Sequence, residues 1–260
     1  MSKGMGAQIA NAYDHRMRHP LVNDYYGQSD FFNYGYWLED TRDQKEACEN
    51  LVDKLLELIP EKQGQVLDVA CGMGATTRHL LSHYSAGKVV GINISEMQLA
   101  RSKRNAPGCA FQLMDAAQLG FAGNVFDSLI CVESAFHFDT RERFLREACR
   151  VLKPGGQLVL SDILFLTLPG KRRRRLPDEN FVTDLRQYQD AYRRAGFHEV
   201  KIMDATKACW GGFRQHLMLW GWSKLLAGEM DVLTGCRQML RLLAGSLVIR
   251  HYLLVSARKA

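Results

Sequence analysis

The chain has 260 residues, 47% hydrophobic and 24% charged, the proportions of an ordinary soluble globular domain that folds without disulfides or metal. Its net charge of +6 is concentrated in one run, Lys171, Arg172, Arg173, Arg174 and Arg175, and the rest of the chain is close to neutral. No apolar stretch approaches the ~18 residues of a membrane span and the N-terminus has no signal-like apolar core. The seven cysteines are scattered without CxxC pairs, so neither a disulfide framework nor a metal site is expected, and a cytoplasmic location fits best.

In chain order, residues 13–37 come first, with eight aromatics: Tyr13, Tyr25, Tyr26, Phe31, Phe32, Tyr34, Tyr36 and Trp37. Thr41-Arg42-Asp43-Gln44 has capping-box spacing, and Leu51, Leu55, Leu58 and Ile59 then repeat at helical intervals up to Pro60. Strand-like and helical runs alternate from there. Strands are expected at Gln65 to Cys71, Lys88 to Asn93, Cys109 to Met114, Phe126 to Val132 and Gln157 to Ile163. Between them lie helices over 75–84, Glu96 to Arg104, and one capped by Asp139 or Thr140 and closed by Lys153-Pro154-Gly155-Gly156. A helix over Leu185 to Ala195, a strand over His198 to Met203, a helical stretch over Trp210 to Leu247 and a strand over Ile249 to Ala257 complete the chain. Such alternation implies right-handed crossovers and an α/β fold: a doubly wound, mostly parallel, seven-stranded Rossmann-like sheet.

The strongest chemical signal is Val66-Leu67-Asp68-Val69-Ala70-Cys71-Gly72-Met73-Gly74, where a strand runs into glycines. Glycines at this point let the backbone approach a ligand, and ligands of open α/β sheets bind beyond the carboxyl ends of the strands. Together with Phe126-Asp127-Ser128-Leu129-Ile130 and Leu152-Lys153-Pro154-Gly155-Gly156, the turn resembles the class I S-adenosylmethionine-dependent methyltransferases. The likeness is greatest to the small-molecule enzymes acting on ubiquinone and menaquinone precursors, sterols and secondary metabolites. It covers roughly residues 34–166, plus the last strand.

That resemblance implies S-adenosyl-L-methionine as cofactor and assigns roles position by position. Asp68, Ala70, Gly72 and Gly74 match the loop around its methionine part. Asn93, with Ile94 and Gln98 beside it, stands where the family usually has an acid holding the ribose hydroxyls, a departure that an amide can accommodate; the bland reading is a helix cap. Asp115, followed by Ala116, matches the acid at the adenine amino group. Tyr34, Tyr36 and Trp37 are expected in a lid over the cofactor, the alternative being an arm packed on the core or a neighbouring subunit. Residues 1–40 would then be the lid and 41–260 the cofactor-binding domain, with a helical cap at about 205–247.

Glu133, Ser134 and His137 end the fourth strand at the mouth of the site, with Glu133 and Ser134 on the cofactor side. The unperturbed pKa of a histidine lies near neutrality, which makes His137 the candidate general base. Asp162, at the end of the next strand, is expected to orient His137 or bind the acceptor. The aromatic- and methionine-rich late helices suggest an apolar small-molecule acceptor, although such a stripe also suits a core. O-methylation is favoured because a histidine suits removal of a hydroxyl proton. C- or N-methylation, an RNA or DNA methyltransferase, a nicotinamide dehydrogenase and a non-catalytic cofactor-binding fold are the competing readings. The basic run 171–175 is the argument for nucleic acid, but no aromatics interleave it, so a solvated loop and no nucleic-acid partner are expected.

Overall fold

The computed structural model describes residues 3–166, 176–182, 184–246 and 248–260; the basic run 171–175 lies outside the described residues. Two helices, α1 (Lys3–Met17) and α2 (Pro20–Tyr25), precede α3 (Gln44–Leu56). Then come β1 (Val66–Val69), α4 (Ala75–Leu80), β2 (Val89–Asn93), α5 (Glu96–Asn105), β3 (Ala110–Leu113) and β4 (Phe126–Val132). They are followed by α6 (Arg141–Val151), β5 (Leu152–Phe165), α7 (Leu185–Arg194) and β6 (Phe197–Asp204). A π-helical turn (Lys207–Gly211), α8 (Gly212–Leu226), α9 (Val232–Ser246) and β7 (Ile249–Lys259) finish the chain. Among the described residues no helix is long and apolar enough to cross a membrane.

The seven strands form one sheet in the order β3-β2-β1-β4-β5-β7-β6, parallel except for β7, which runs antiparallel to β5 and β6. Strand order reverses between β1 and β4, so the crossover helices diverge there and leave a crevice at the strand ends. Side chains alternate between two cores. Leu67, Leu129, Leu158 and Val255 pack with Phe144, Leu145, Tyr188 and Tyr192 of α6 and α7. Their neighbours Val66, Ile130, Val159 and Leu254 pack on the other face with Leu51 and Leu55 of α3. Burial on both faces explains why these strands read as unbroken apolar runs.

Two local details differ from the sequence reading. Helix α3 is capped by Asp43, whose Oδ1 accepts from the Glu46 backbone N–H at 2.9 Å, two residues after the expected Thr41. Thr41 Oγ1 instead accepts from the Leu38 N–H at 2.8 Å. Trp210 and Phe213, which begin the late helical stretch, are core residues stacked beside Tyr34.

Beneath the sheet end lies a buried ion pair. Arg141 Nε donates to Asp162 Oδ2 at 2.7 Å, with side-chain exposures of 5% and 0%. The Tyr188 hydroxyl donates to the same oxygen at 2.9 Å, and Arg141 Nη1 donates to the Asn180 carbonyl at 2.6 Å. Removing one partner of such a pair strands the other charge in an apolar setting. Asp162→Ala is therefore expected to destabilise the fold by about 3–5 kcal/mol in urea unfolding, whereas a loss under 1 kcal/mol would mean that Arg141 finds solvent or another partner.

Candidate active site

At the carboxyl end of β1 the chain turns sharply, with positive φ at Ala70 (58°), Gly72 (57°) and Gly74 (83°). Each glycine has its own reason. A Cβ on Gly74 would lie 2.7 Å from Ser102 Cα, so α5 can pack here only against a bare backbone. A Cβ on Gly72 would meet only Met17 Cε, at 4.0 Å, and would project into the cavity beside this turn. Ala70 holds a left-handed conformation uncommon for a residue with a Cβ, a local strain that the surrounding packing sustains.

A cavity opens beside this turn, where ligands of open α/β sheets bind. It collects Asp68, Ala70, Gly72, Asn93, Ile94, Gln98, Asp115, Ala116, Glu133, Ser134 and His137, all singled out in the sequence. Its roof comes from the N-terminal segment: Ile9, Ala10, Tyr13 and Met17 on one face of α1, then Phe31, Phe32 and Asn33. The spacing of the α1 residues is helical, and Ile9 and Met17 are buried.

Each strand end contributes a polar group. On β1, Asp68 is 1% exposed and accepts from Thr77 Oγ1 at 2.6 Å; burial pushes its carboxyl up to about 7. After β2, Asn93 Nδ2 donates to the Gly72 carbonyl at 3.2 Å and to Gln98 Oε1 at 2.9 Å. Its Oδ1 accepts from the N–H groups of Ile94 and Ser95 at 2.7 and 3.2 Å. After β3, Asp115 Oδ1 accepts from the Ala117 N–H at 2.9 Å. After β4, Glu133 Oε1 accepts from the Tyr34 N–H and the Tyr252 hydroxyl, both at 2.6 Å, and burial raises its carboxyl to about 7. Ser134 Oγ donates to the Val132 carbonyl at 3.0 Å. His137 Nε2 lies 2.8 Å from the Tyr13 hydroxyl, and its ring packs against Phe136 and, edge-on, Tyr13.

Four expected site residues sit elsewhere, and Gly74 acts on the site only through the packing of α5. Tyr34, Tyr36 and Trp37 do not line the cavity. Tyr34 is packed among Trp210, Phe213 and Tyr252. The Tyr36 N–H donates to the Ala47 carbonyl and that of Trp37 to the Ala208 carbonyl, while the Trp37 ring lies on His216 and presses on Gly212. The three therefore strap the N-terminal segment between α3 and α8, because apolar rings with satisfied backbone partners are more stable buried than at a wet cavity mouth. Asp162 does not line the cavity and is engaged instead with Arg141, Tyr188 and the Ile163 N–H on the side of α6 and α7. Among the cavity residues that sequence reasoning did not assign to the site are those of α1 and the Phe31-Phe32 pair. The signal for them was the helical spacing of Ile9, Tyr13 and Met17.

The methyltransferase domain family matches residues 67–160, the stretch from β1 into β5. The chain is 29% identical over 221 residues to a 27-O-demethylrifamycin SV methyltransferase of Amycolatopsis mediterranei, covering 80% of this chain and 79% of that one. It is 29% identical to an erythromycin 3''-O-methyltransferase of Saccharopolyspora erythraea, over 66% of this chain and 63% of that one. Four further curated matches, that one included, align over 51–65% of their own length. A crystal structure of geranyl diphosphate C-methyltransferase from Streptomyces coelicolor superposes with a TM-score of 0.72 over 100% of this chain and 99% of that one. At 14% identity that likeness is one of fold.

The raised Glu133 carboxyl makes a stability prediction. Its folded value near 7 exceeds the ordinary 4.5, so the folded state holds a proton that the unfolded state has released between about pH 4.5 and 7. Wild-type stability should therefore fall across that window relative to Glu133→Gln, and the difference should level off above pH 7. Melting temperatures of both proteins from pH 4 to 8 check this; parallel curves would mean that Glu133 keeps its ordinary value in the folded state.

Proposed function

Because the chain belongs to the class I S-adenosylmethionine-dependent methyltransferases of small-molecule type, we propose that it methylates a hydroxyl of an apolar small molecule, in the manner of a secondary-metabolite enzyme. The cavity fits the cofactor. Gly72 leaves the space that a Cβ would fill, and polar groups at successive strand ends suit its amino-acid, ribose and adenine parts in turn. Asp68, Ala70 and Gly72 would hold the amino-acid part, with Glu133 and Ser134 beside it. Asn93, Ile94 and Gln98 would flank the ribose, and Asp115 and Ala116 the adenine. When bound, S-adenosylmethionine supplies a methyl group already activated by sulfonium charge.

The observation that carries the hydroxyl reading is the pair His137 and Tyr13, whose Nε2 and hydroxyl oxygen lie 2.8 Å apart at the cavity wall. With the proton of His137 on Nδ1, Nε2 accepts from a hydroxyl at hydrogen-bonding distance. An acceptor hydroxyl taking that place would be held and deprotonated there as its oxygen attacks. Positioning supplies the larger part, roughly 7–11 kcal/mol for well-oriented groups, and the base a further ~10²–10⁴-fold. Ile9, Met17, Phe31, Phe32 and Phe138 line the same cavity, exclude water and favour an apolar acceptor. Two relatives whose names specify oxygen methylation support the reading. Transfer to carbon, named for a structural neighbour, is the second reading; it requires no hydroxyl at Nε2.

His137→Ala is expected to lower turnover on the true acceptor by about 10²–10⁴-fold while leaving affinity for S-adenosylhomocysteine within about twofold. Mass spectrometry of a producing extract supplied with deuterated-methyl cofactor identifies the product and the methylated atom. A product labelled on carbon, or equal turnover by the two proteins, would remove His137 from the mechanism. Unchanged mobility of duplex DNA or tRNA at low salt is expected if residues 171–175 bind no nucleic acid.

A further inference from the structure

Asn93 has no hydrogen-bonding capacity left for a ligand. A side-chain amide has two N–H donors and two lone pairs on oxygen. Both donors are used, on the Gly72 carbonyl and Gln98 Oε1, and both lone pairs are used, by the N–H groups of Ile94 and Ser95. With an exposure of 7%, the side chain works as a strut that ties the glycine turn to the start of α5. A vicinal diol at this edge consists of two donors that require acceptors, and Asn93 offers none.

The acceptor comes from a different element. Asp14 of α1 follows Tyr13, which lines the cavity, and reaches the same corner. Its Oδ1 accepts from Gln98 Nε2 at 2.7 Å and from Ser95 Oγ at 2.9 Å, the latter shared with Oδ2 at 3.1 Å. Both partners are neutral. Among the described residues no cation pairs with this carboxylate; Arg18 donates to the Asp14 backbone carbonyl instead. A carboxylate has about four acceptor sites, so Oδ2, which has only the longer branch of a shared bond, retains room for another donor. Half-buried, bonded to the cavity-lining Gln98 and without a counter-ion among the described residues, it is suited to hydroxyl donors.

We propose that Asp14 is the carboxylate that takes the ribose hydroxyl pair of the cofactor, supplied by the roof helix because the position at the end of β2 carries an amide. This rests on S-adenosylmethionine as the cofactor. Its consequence is that the roof helix is part of the cofactor site. The helix that receives the ribose through Asp14 also places Tyr13 at His137, so cofactor binding and the setting of the base are one event.

The test is calorimetric affinity for S-adenosylhomocysteine and for its 2′-deoxyadenosine analogue, in wild type, Asp14→Ala and Asp14→Asn. Asp14→Asn keeps an oxygen for Ser95 and Gln98, so it retains the contact that holds α1 but loses the anionic acceptor. A hydrogen bond to a charged group supports an expected rise in Kd for S-adenosylhomocysteine of about 10- to 100-fold in both variants. The deoxy analogue should weaken by a smaller factor than S-adenosylhomocysteine, because one of the two hydroxyls that Asp14 would hold is already missing from it. Equal weakening of both compounds would overturn the proposal and leave Asp14 as a latch for α1, and so would a change below threefold for S-adenosylhomocysteine. If Asp14→Ala does not fold, Asp14→Asn decides alone. Failure of the wild type to bind S-adenosylhomocysteine would overturn the cofactor reading itself, whereas wild-type binding with unchanged variants overturns only the role of Asp14.

Discussion

The reversal of the chain after β1 is the constraint on which the rest of the site depends. Within five residues the backbone takes positive φ at Ala70, Gly72 and Gly74, bringing it from the buried sheet to the cavity floor. Gly74 lets α5 pack against bare backbone at the turn, and α5 in turn carries Gln98, while Ser95 caps it. Asn93 bonds the turn from the neighbouring strand through the Gly72 carbonyl. A side chain at Gly74 would therefore disturb the next helix and the polar corner together, and one at Gly72 would project into the cavity. The crevice itself needs no special residue, since it follows from the reversal of strand order between β1 and β4.

The second organising feature is the way the N-terminal segment is tied down at several points along its length. Glu133 does this at the end of β4, where one carboxylate oxygen receives the Tyr34 N–H and the Tyr252 hydroxyl and so joins the segment, β4 and β7. Tyr36 and Trp37 fasten the next stretch to α3 and to the turn before α8. At the far end, Asp14 bonds Ser95 and Gln98 while Tyr13 meets His137. The roof is thus held by polar contacts to catalytic-face residues and by apolar packing away from them. Such a division gives a cofactor or acceptor several groups through which to act on the roof. Burial raises two carboxyls of the floor, Asp68 and Glu133, to about 7.

Much of the fold was legible because the signals are local. Period-two burial on both faces, glycines after a strand and Gly155-Gly156 after a helix required no knowledge of distant partners, and all seven strands stand where the pattern predicts them. The cavity floor was legible for the same reason, since Asp68, Gly72, Asn93, Asp115 and Glu133 follow directly from strand ends. The roof was not. Tyr34, Tyr36 and Trp37 are chemically as suited to a cavity as Tyr13 and Phe32, and only the packing of α8 against Trp37 and Tyr34 separates the two groups. Asp162 ends a strand just as Asp68 does, yet it lies within reach of Arg141 and is consumed there.

By itself, then, the sequence determined the sheet, the glycine turn and the strand ends, because backbone periodicity and turn chemistry act over a few residues, while the cofactor class came from its resemblance to a known family. Tertiary structure decided which polar groups keep a free lone pair or proton. Asn93 is saturated by Gly72, Gln98 and its own backbone neighbours, and Asp162 is neutralised by a helix 21 residues away in the chain. Asp14 was brought 81 residues along the chain to Ser95. Hydrogen-bond capacity is spent in space rather than along the chain, so the roles of these three polar residues could be read only after folding had assigned their partners.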